Sequence, residues 1–206
     1  MYACTVWSEE RPFVSAVAAA AGRPAADPEL VHVIYGLSKD FCMSGLRVGV
    51  FHSRCAPLVE ALSGIAMFTS VCSLTQHALA CVFEDLEFIG DFISDNLAAV
   101  RASHAVLADG LAAHGIPFVR GDGGLFLWVN LGGILRAPEG GEVTREAVLG
   151  LVHHLAHHEK VLITPGHLCH ASEHGWFRIC FTAMGPEALG ELVRRLGLVY
   201  SYYRAS

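Results

Sequence analysis

Tyr35-Gly36-Leu37-Ser38-Lys39-Asp40-Phe41-Cys42-Met43-Ser44-Gly45-Leu46-Arg47-Val48-Gly49-Val50 is the stretch on which both fold and chemistry turn. Its first residues close the run VHVIYGL, Val31 to Leu37, which is apolar almost throughout and rich in β-branched residues. That texture predicts a buried strand of a parallel sheet. Ser38 to Gly45 is polar and carries glycine, which predicts a loop. LRVGVFHS, Leu46 to Ser53, predicts a second buried strand. Lys39 therefore stands at the edge of a buried strand, where partial desolvation favours the neutral, nucleophilic amine. Arg47 follows eight residues later, across the loop. Loop N–H groups with an arginine beside them suit a phosphate, which a guanidinium can grip with two parallel hydrogen bonds. Spacing alone leaves the plainer alternative open, a Lys–Asp pair in a solvated surface loop.

Composition narrows the class. The 206 residues are 53% hydrophobic and 17% charged, with a mean hydropathy of +0.44, which excludes a disordered chain. A net charge of −6 and a pI near 6.0 speak against nucleic acid or an anionic membrane as partner. Of 14 cationic side chains only Lys39 and Lys160 are lysines, so lysine chemistry has two candidates. No run approaches the ~20 apolar residues of a membrane span. Phe13 to Gly22 is apolar, but Glu9 and Glu10 stand where a secretory leader needs cations. The seven cysteines are odd in number and include no CxxC. They predict reduced, mostly buried thiols and a cytoplasmic location.

The rest of the chain alternates. Residues 3–8 predict a short strand, and Arg11 to Ala21 a helix stopped at Gly22-Arg23-Pro24. Ala56 to Met67 and Leu74 to Leu86 predict helices. Phe88 to His114 carries a helical apolar stripe over about seven turns, ended by Gly115 and Pro117. Beyond it, IPFV and LFLWVNL flank a glycine-rich turn and predict a hairpin. Arg136 to Val143 is a Pro/Gly loop, and Val143 to Glu159 a helix. VLIT predicts a strand, as does WFRICFT from Trp176 to Thr182. Pro186 to Leu196 predicts a closing helix, and Tyr200, Tyr202 and Tyr203 a tail with surface or interface packing. His153, His154, His157 and His158 share helix faces in pairs, and His167, Cys169 and His170 form a second cluster. Neither has the closed ligand spacing of a metal site, and no metal is expected.

YGLSKDFCMSGLRVGV resembles the lysine-loop signature of fold-type I pyridoxal-phosphate enzymes, the class I/II aminotransferases. It is most similar to the 1-aminocyclopropane-1-carboxylate (ACC) synthase branch, whose stretch reads roughly SLSKDxGLPGFRVG. A second block agrees: Pro165-Gly166, then Glu173, then Gly175-Trp176-Phe177-Arg178-Ile179-Cys180-Phe181, similar to the branch's PG…EPGWFRVCF. The resemblance runs over essentially the whole chain. It implies an α/β fold, with residues 1–87 the C-terminal part of the cofactor-binding large domain, mainly parallel sheet with helices. Residues 88–206 would be the interdomain long helix and a small C-terminal α+β domain. It also implies pyridoxal 5'-phosphate as cofactor, an amino-acid substrate and a homodimer for the full-length family. Lys39 would hold the cofactor's aldehyde as an imine and shuttle the proton at the substrate Cα. Arg47, helped by Ser38, would bind the phosphate, and Tyr2 would hydrogen-bond the phenolic oxygen. Arg178 would clamp the substrate carboxylate. The family's loop at His167 and His170 lines the substrate side.

Departures from the pattern are specific. Gly36 stands where aminotransferases commonly have a phosphate-binding serine. Cys42 replaces a glycine, and Ser44 and His174 replace prolines. The family's aspartate for the pyridine nitrogen lies three residues before the tyrosine matched by Tyr2, and the sequence has no counterpart for it. Two reactions share these residues. In an ACC synthase, Lys39 would take the Cα proton of S-adenosylmethionine, and the carbanion would displace methylthioadenosine. In an aminotransferase, Lys39 would return that proton to C4′ of the cofactor. The alternative is a truncated, non-catalytic remnant or interaction module of the family.

Overall fold

The computed structural model describes residues 2–23, 27–135 and 141–205. The predicted stop at Pro24 and the loop from Arg136 to Gly140 lie outside them. The chain divides into two compact units, Met1–Leu97 and Ala98–Ser206.

In the first unit, residues 3–5 form a short 3-10 turn, not the predicted strand. The reason is a carboxylate: Asp40 accepts the N–H groups of Ala3 and Cys4 and curls the segment. Helix α1 is Ala16–Ala21, later than expected because Ser15 is its N-cap and accepts from the Ala18 amide at 3.1 Å. Strand β1 (His32–Gly36) leads into the short helix α2 (Leu37–Asp40), then a 3-10 turn at Ser44–Leu46 and strand β2 (Gly49–Ser53). The predicted loop is thus two helical turns. β1 and β2 pair antiparallel, from His32 opposite Ser53 to Gly36 opposite Gly49. A parallel neighbour needs a full crossover connection. Here the intervening turns bring the chain straight back, and Leu37 N–H donates to the Val48 carbonyl at 3.2 Å. Neither strand is buried as predicted: Ile34 is 79% exposed and Val50 52%. An apolar run records a tendency to be covered, whereas burial depends on what lies over it. Helices α3 (Ala56–Ala66) and α4 (Ser73–Glu84) follow. Phe41 is buried, edge-on to Phe83 at 5.1 Å and stacked on Phe92 at 6.0 Å.

Helix α5 (Leu86–Ala113) is 28 residues long and unbroken. In the second unit its residues Leu107, Ala108 and Leu111 are buried at helical spacing. A four-stranded antiparallel sheet follows, in the order β3-β4-β6-β5. Its strands are β3 (Phe118–Val119), β4 (Phe126–Asn130), β5 (Thr164–Pro165) and β6 (Trp176–Cys180). Leu127, Val129, Phe177 and Ile179 point into the core, while alternate residues occupy the other face, as period-2 geometry requires. Of the predicted strand VLIT only Thr164 pairs. The helix predicted to Glu159 is α6 (Arg145–His154), capped by Thr144 and continued as a π-turn over Leu155–Glu159. Helix α7 (Pro186–Ala205) is longer than predicted. Its buried stripe of Leu189, Leu192, Val193, Leu196, Val199 and Tyr200 carries the periodicity past Leu196, so Tyr200 is core and only Tyr202 and Tyr203 are exposed.

All seven cysteines are free thiols and none is buried, contrary to expectation. Apolar neighbours in sequence do not close a layer over them. Among the described residues no helix is long and apolar enough to cross a membrane.

Gly175 holds the turn into β6 at φ +94, where an added Cβ would lie 2.7 Å from the Gly132 Cα. Its carbonyl accepts from Leu131 N–H at 2.8 Å. Gly175→Ala is expected to lower stability by about 2–3 kcal/mol in urea unfolding, from the left-handed φ and the backbone collision together. A second prediction concerns His104 on α5, 8% exposed and edge-on to Phe181 at 5.6 Å. Burial, helped by Arg120 and opposed by Asp109, pushes its imidazole below the ordinary range. As pH falls the unfolded chain therefore takes up this proton first. Stability is full above the ordinary histidine pKa of about 6.5 and declines as pH drops below it. Unfolding free energy at pH 7 and pH 5 should show this loss, and His104→Gln should flatten it.

Candidate active site

In the first unit, Ser38 and Lys39 are half-buried residues of α2, directly beyond β1. The next two residues, Asp40 and Phe41, turn inward and are buried. One helical turn thus presents the hydroxyl and amine while anchoring itself by a carboxylate and a ring. Asp40 is 0% exposed. Its Oδ2 accepts from Ala3 N–H at 3.2 Å and the Tyr35 hydroxyl at 2.7 Å, and its Oδ1 from Cys4 N–H at 3.2 Å. Tyr35 is pushed well above the ordinary phenol range, first by burial and then by its bond to Asp40. Burial, then the Asp40 charge, raises the Cys4 thiol. Tyr2, half-buried, immediately precedes the two amides that Asp40 holds.

Arg47 is exposed, and its Nη1 donates to the Ser44 carbonyl at 3.0 Å. Five described residues other than glycine have positive φ, and three flank this turn: Tyr2 (68°), Cys42 (55°) and Arg47 (53°). Such residues cluster where a site imposes its geometry. Cys42, which stands where the resemblance has glycine, therefore occupies a backbone position that favours glycine.

A primary amine, a hydroxyl and an exposed guanidinium within Ser38–Arg47 form the donor set that an aldehyde-bearing phosphate ester requires. The residues present fit pyridoxal phosphate on that ground.

In the second unit, Arg178 lies on the face of the sheet away from the core, opposite Trp128 on one side and Thr164 on the other. Its guanidinium sits 4.6 Å from the centre of the Phe126 ring, a contact worth about 0.5–1 kcal/mol that also fixes the plane of the fork. Trp128 and Trp176 stack at 5.9 Å beside it. Gly166 lets the neighbouring loop approach: a Cβ there would meet the Trp176 carbonyl at 2.7 Å and the Trp128 ring at 3.1 Å. Nδ1 of His167 is buried without a hydrogen-bond partner. The His153–His157 rings lie 4.2 Å apart and the His154–His158 rings 5.1 Å. These are pairs only: among the described residues no group of three or more His, Cys, Asp or Glu is close enough to hold a metal.

Sequence reading missed the roles of Asp40, Tyr35 and the two tryptophans. The available signal for Asp40 was a carboxylate between a strand end and Phe41, a place where a charge is buried only if several donors meet it.

The fold and this donor set define an α/β protein of the aminotransferase type. The family model for "Aminotransferase class I and II" matches residues 1–196, and the chain belongs to that family. Its members, ACC synthases among them, are pyridoxal-phosphate-dependent enzymes. ACC synthase 4 of Oryza sativa subsp. japonica is 39% identical over 166 residues, covering 81% of this chain and 34% of the relative. ACC synthase 5 of Arabidopsis thaliana is 33% identical over 199 residues, covering 95% and 41%. The aromatic aminotransferase from Pyrococcus horikoshii OT3 matches all of this chain with 51% of its own, at a TM-score of 0.79 and 18% identity. The chain thus spans about half of that solved structure and a smaller share of the curated relatives.

Cys42→Gly is expected to be neutral or to stabilise by up to about 1 kcal/mol, because glycine relieves the left-handed strain. Cys42→Val should destabilise by about 1–2 kcal/mol, since a β-branched residue resists that φ more strongly. Thermal unfolding of both variants checks the pair.

Proposed function

We propose that this chain carries the lysine half of a pyridoxal-phosphate site that acts on an amino acid, with ACC synthase chemistry favoured over transamination. The observation that carries the reading is the Ser38-Lys39 turn, anchored by Asp40 and Phe41 and flanked by Arg47. The preference for ACC synthase rests on the relatives that match it.

Bound pyridoxal phosphate would supply an electron-withdrawing ring that stabilises negative charge at the substrate Cα. Lys39 would hold the aldehyde group and would serve as the base for the substrate Cα proton. Arg47 and Ser38 hold the phosphate, the arginine by paired charged hydrogen bonds. Tyr2 donates to the phenolic oxygen. Arg178 grips the substrate carboxylate, with Phe126 beneath the guanidinium limiting its rotation. In ACC synthase chemistry, S-adenosylmethionine would be the substrate: loss of the Cα proton would let Cα bond to Cγ as the Cγ–S bond breaks, releasing methylthioadenosine. In transamination, Lys39 would instead pass that proton on after taking it from Cα, so the same amine would serve as base and then as acid. The complete protein would act as a homodimer in the cytoplasm.

A second reading is an interaction module without catalysis, favoured by the exposed apolar Ile34, Val50 and Phe51 on β1 and β2. Incubating the 206-residue chain with pyridoxal phosphate, reducing with borohydride and mapping the adduct by mass spectrometry separates the two. The expected result is a single adduct on Lys39, absent in Lys39→Ala, and weakened about tenfold or more in apparent affinity by Arg47→Ala. No adduct, or one on Lys160 alone, would overturn the cofactor reading.

A further inference from the structure

We propose that Asp40 is a positioning residue that sets the geometry of Tyr2 beside the lysine turn; this rests on the cofactor reading above. The Tyr2–Ala3 peptide is held from both sides. The Tyr2 carbonyl accepts from Thr5 N–H at 3.4 Å and from the Thr5 hydroxyl at 3.2 Å. The following N–H groups, of Ala3 and Cys4, donate to separate oxygens of Asp40 at 3.2 Å each. These bonds span 37 and 36 residues of sequence, so they fasten the turn to the end of α2, the helical turn that follows β1, rather than to itself. Tyr2 has φ 68° and ψ 17°, a left-handed conformation that an L-residue keeps only when its surroundings impose it.

The chemistry requires a carboxylate. Three donors converge on Asp40, two of them backbone amides and the third the Tyr35 hydroxyl at 2.7 Å. An ionised carboxylate offers about four acceptor positions on two oxygens. An asparagine offers one oxygen and sets an NH2 against the remaining donors. An apolar residue would fill the space but leave buried amides without acceptors. Tyr35 completes the clasp from β1, the strand that ends at Lys39's turn. Asp40 thus acts on the cofactor site through Tyr2, while the amine of Lys39 keeps its own reactivity.

The test has two readouts on the full 206-residue chain. The first uses no added ligand: amide hydrogen exchange should show Ala3 and Cys4 protected, with protection lost in Asp40→Asn and kept in Lys39→Ala. The second titrates pyridoxal phosphate and traps the Lys39 adduct in Tyr2→Phe, Asp40→Asn and the double variant. Each single change should weaken binding about tenfold, and the double variant should bind no more weakly than Asp40→Asn alone. A merely structural role would not couple the two residues. Additive losses, or unaltered affinity in Asp40→Asn, overturn the proposal while the wild-type adduct leaves the cofactor reading standing. If Asp40→Asn does not fold, Tyr35→Phe removes one donor and keeps both backbone bonds. It should weaken binding a few-fold, again without adding to Tyr2→Phe; wild-type affinity or additivity there overturns the proposal. An unmutated chain without a Lys39 adduct overturns the cofactor reading, and this proposal with it.

Discussion

A buried carboxylate must be met by hydrogen bonds, and in this protein Asp40 has no exposed surface at all. Its three acceptor bonds reach residues 3, 4 and 35, which no local structure would otherwise bring together. The segment at Tyr2 is curled because of it, and the exit of β1 is fixed by it. Phe41, beside it, docks on Phe83 and Phe92 and so secures the same turn to α4 and α5. Ser38 and Lys39 are left half-buried on the other side of that turn. The backbone around them is held in conformations that L-residues resist, at Tyr2, Cys42 and Arg47. Such over-determination leaves the turn few alternative arrangements.

The second unit solves a different problem. Its sheet separates core from chemistry by the pleat alone. Leu127, Val129, Phe177 and Ile179 are at most 2% exposed. Phe126, Trp128, Trp176 and Arg178 share the opposite face. Two glycines make that face possible, one where the chain enters β6 and one where the loop at Gly166 meets Trp128. A guanidinium resting on an aromatic ring keeps its charge available while losing rotational freedom. That combination suits the recognition of a planar anion.

Much of this was legible in the sequence, and what escaped it has one physical origin. The long helix, the hairpin, the WFRIC strand and the closing helix follow from periodicity, which is a local property. Lys39 and Arg178 stood out as candidates because their neighbours form recognisable runs. The antiparallel return at β1 and β2 was not foreseen, since apolar content does not encode strand direction. The exposure of Ile34 was missed for a related reason: a residue's hydrophobicity does not say what will cover it. Tyr200 was expected in a tail with surface or interface packing, but the helical stripe continued to it and buried it.

The sequence by itself singled out the candidate residues for chemistry, because reactivity belongs to the side chain: one lysine beside a strand, an arginine across the loop, and a second arginine between aromatics. It also determined the α/β class and the family, because motif spacing survives in one dimension. Tertiary structure alone decided that Asp40 is a clasp rather than a surface partner of Lys39. It alone decided that the amides of Ala3 and Cys4, beside Tyr2, are tied to a residue of α2 more than thirty positions away, and that Cys42 takes a left-handed backbone. Those facts depend on donors that converge in space from distant parts of the chain, and a carboxylate's burial becomes favourable only once they have converged.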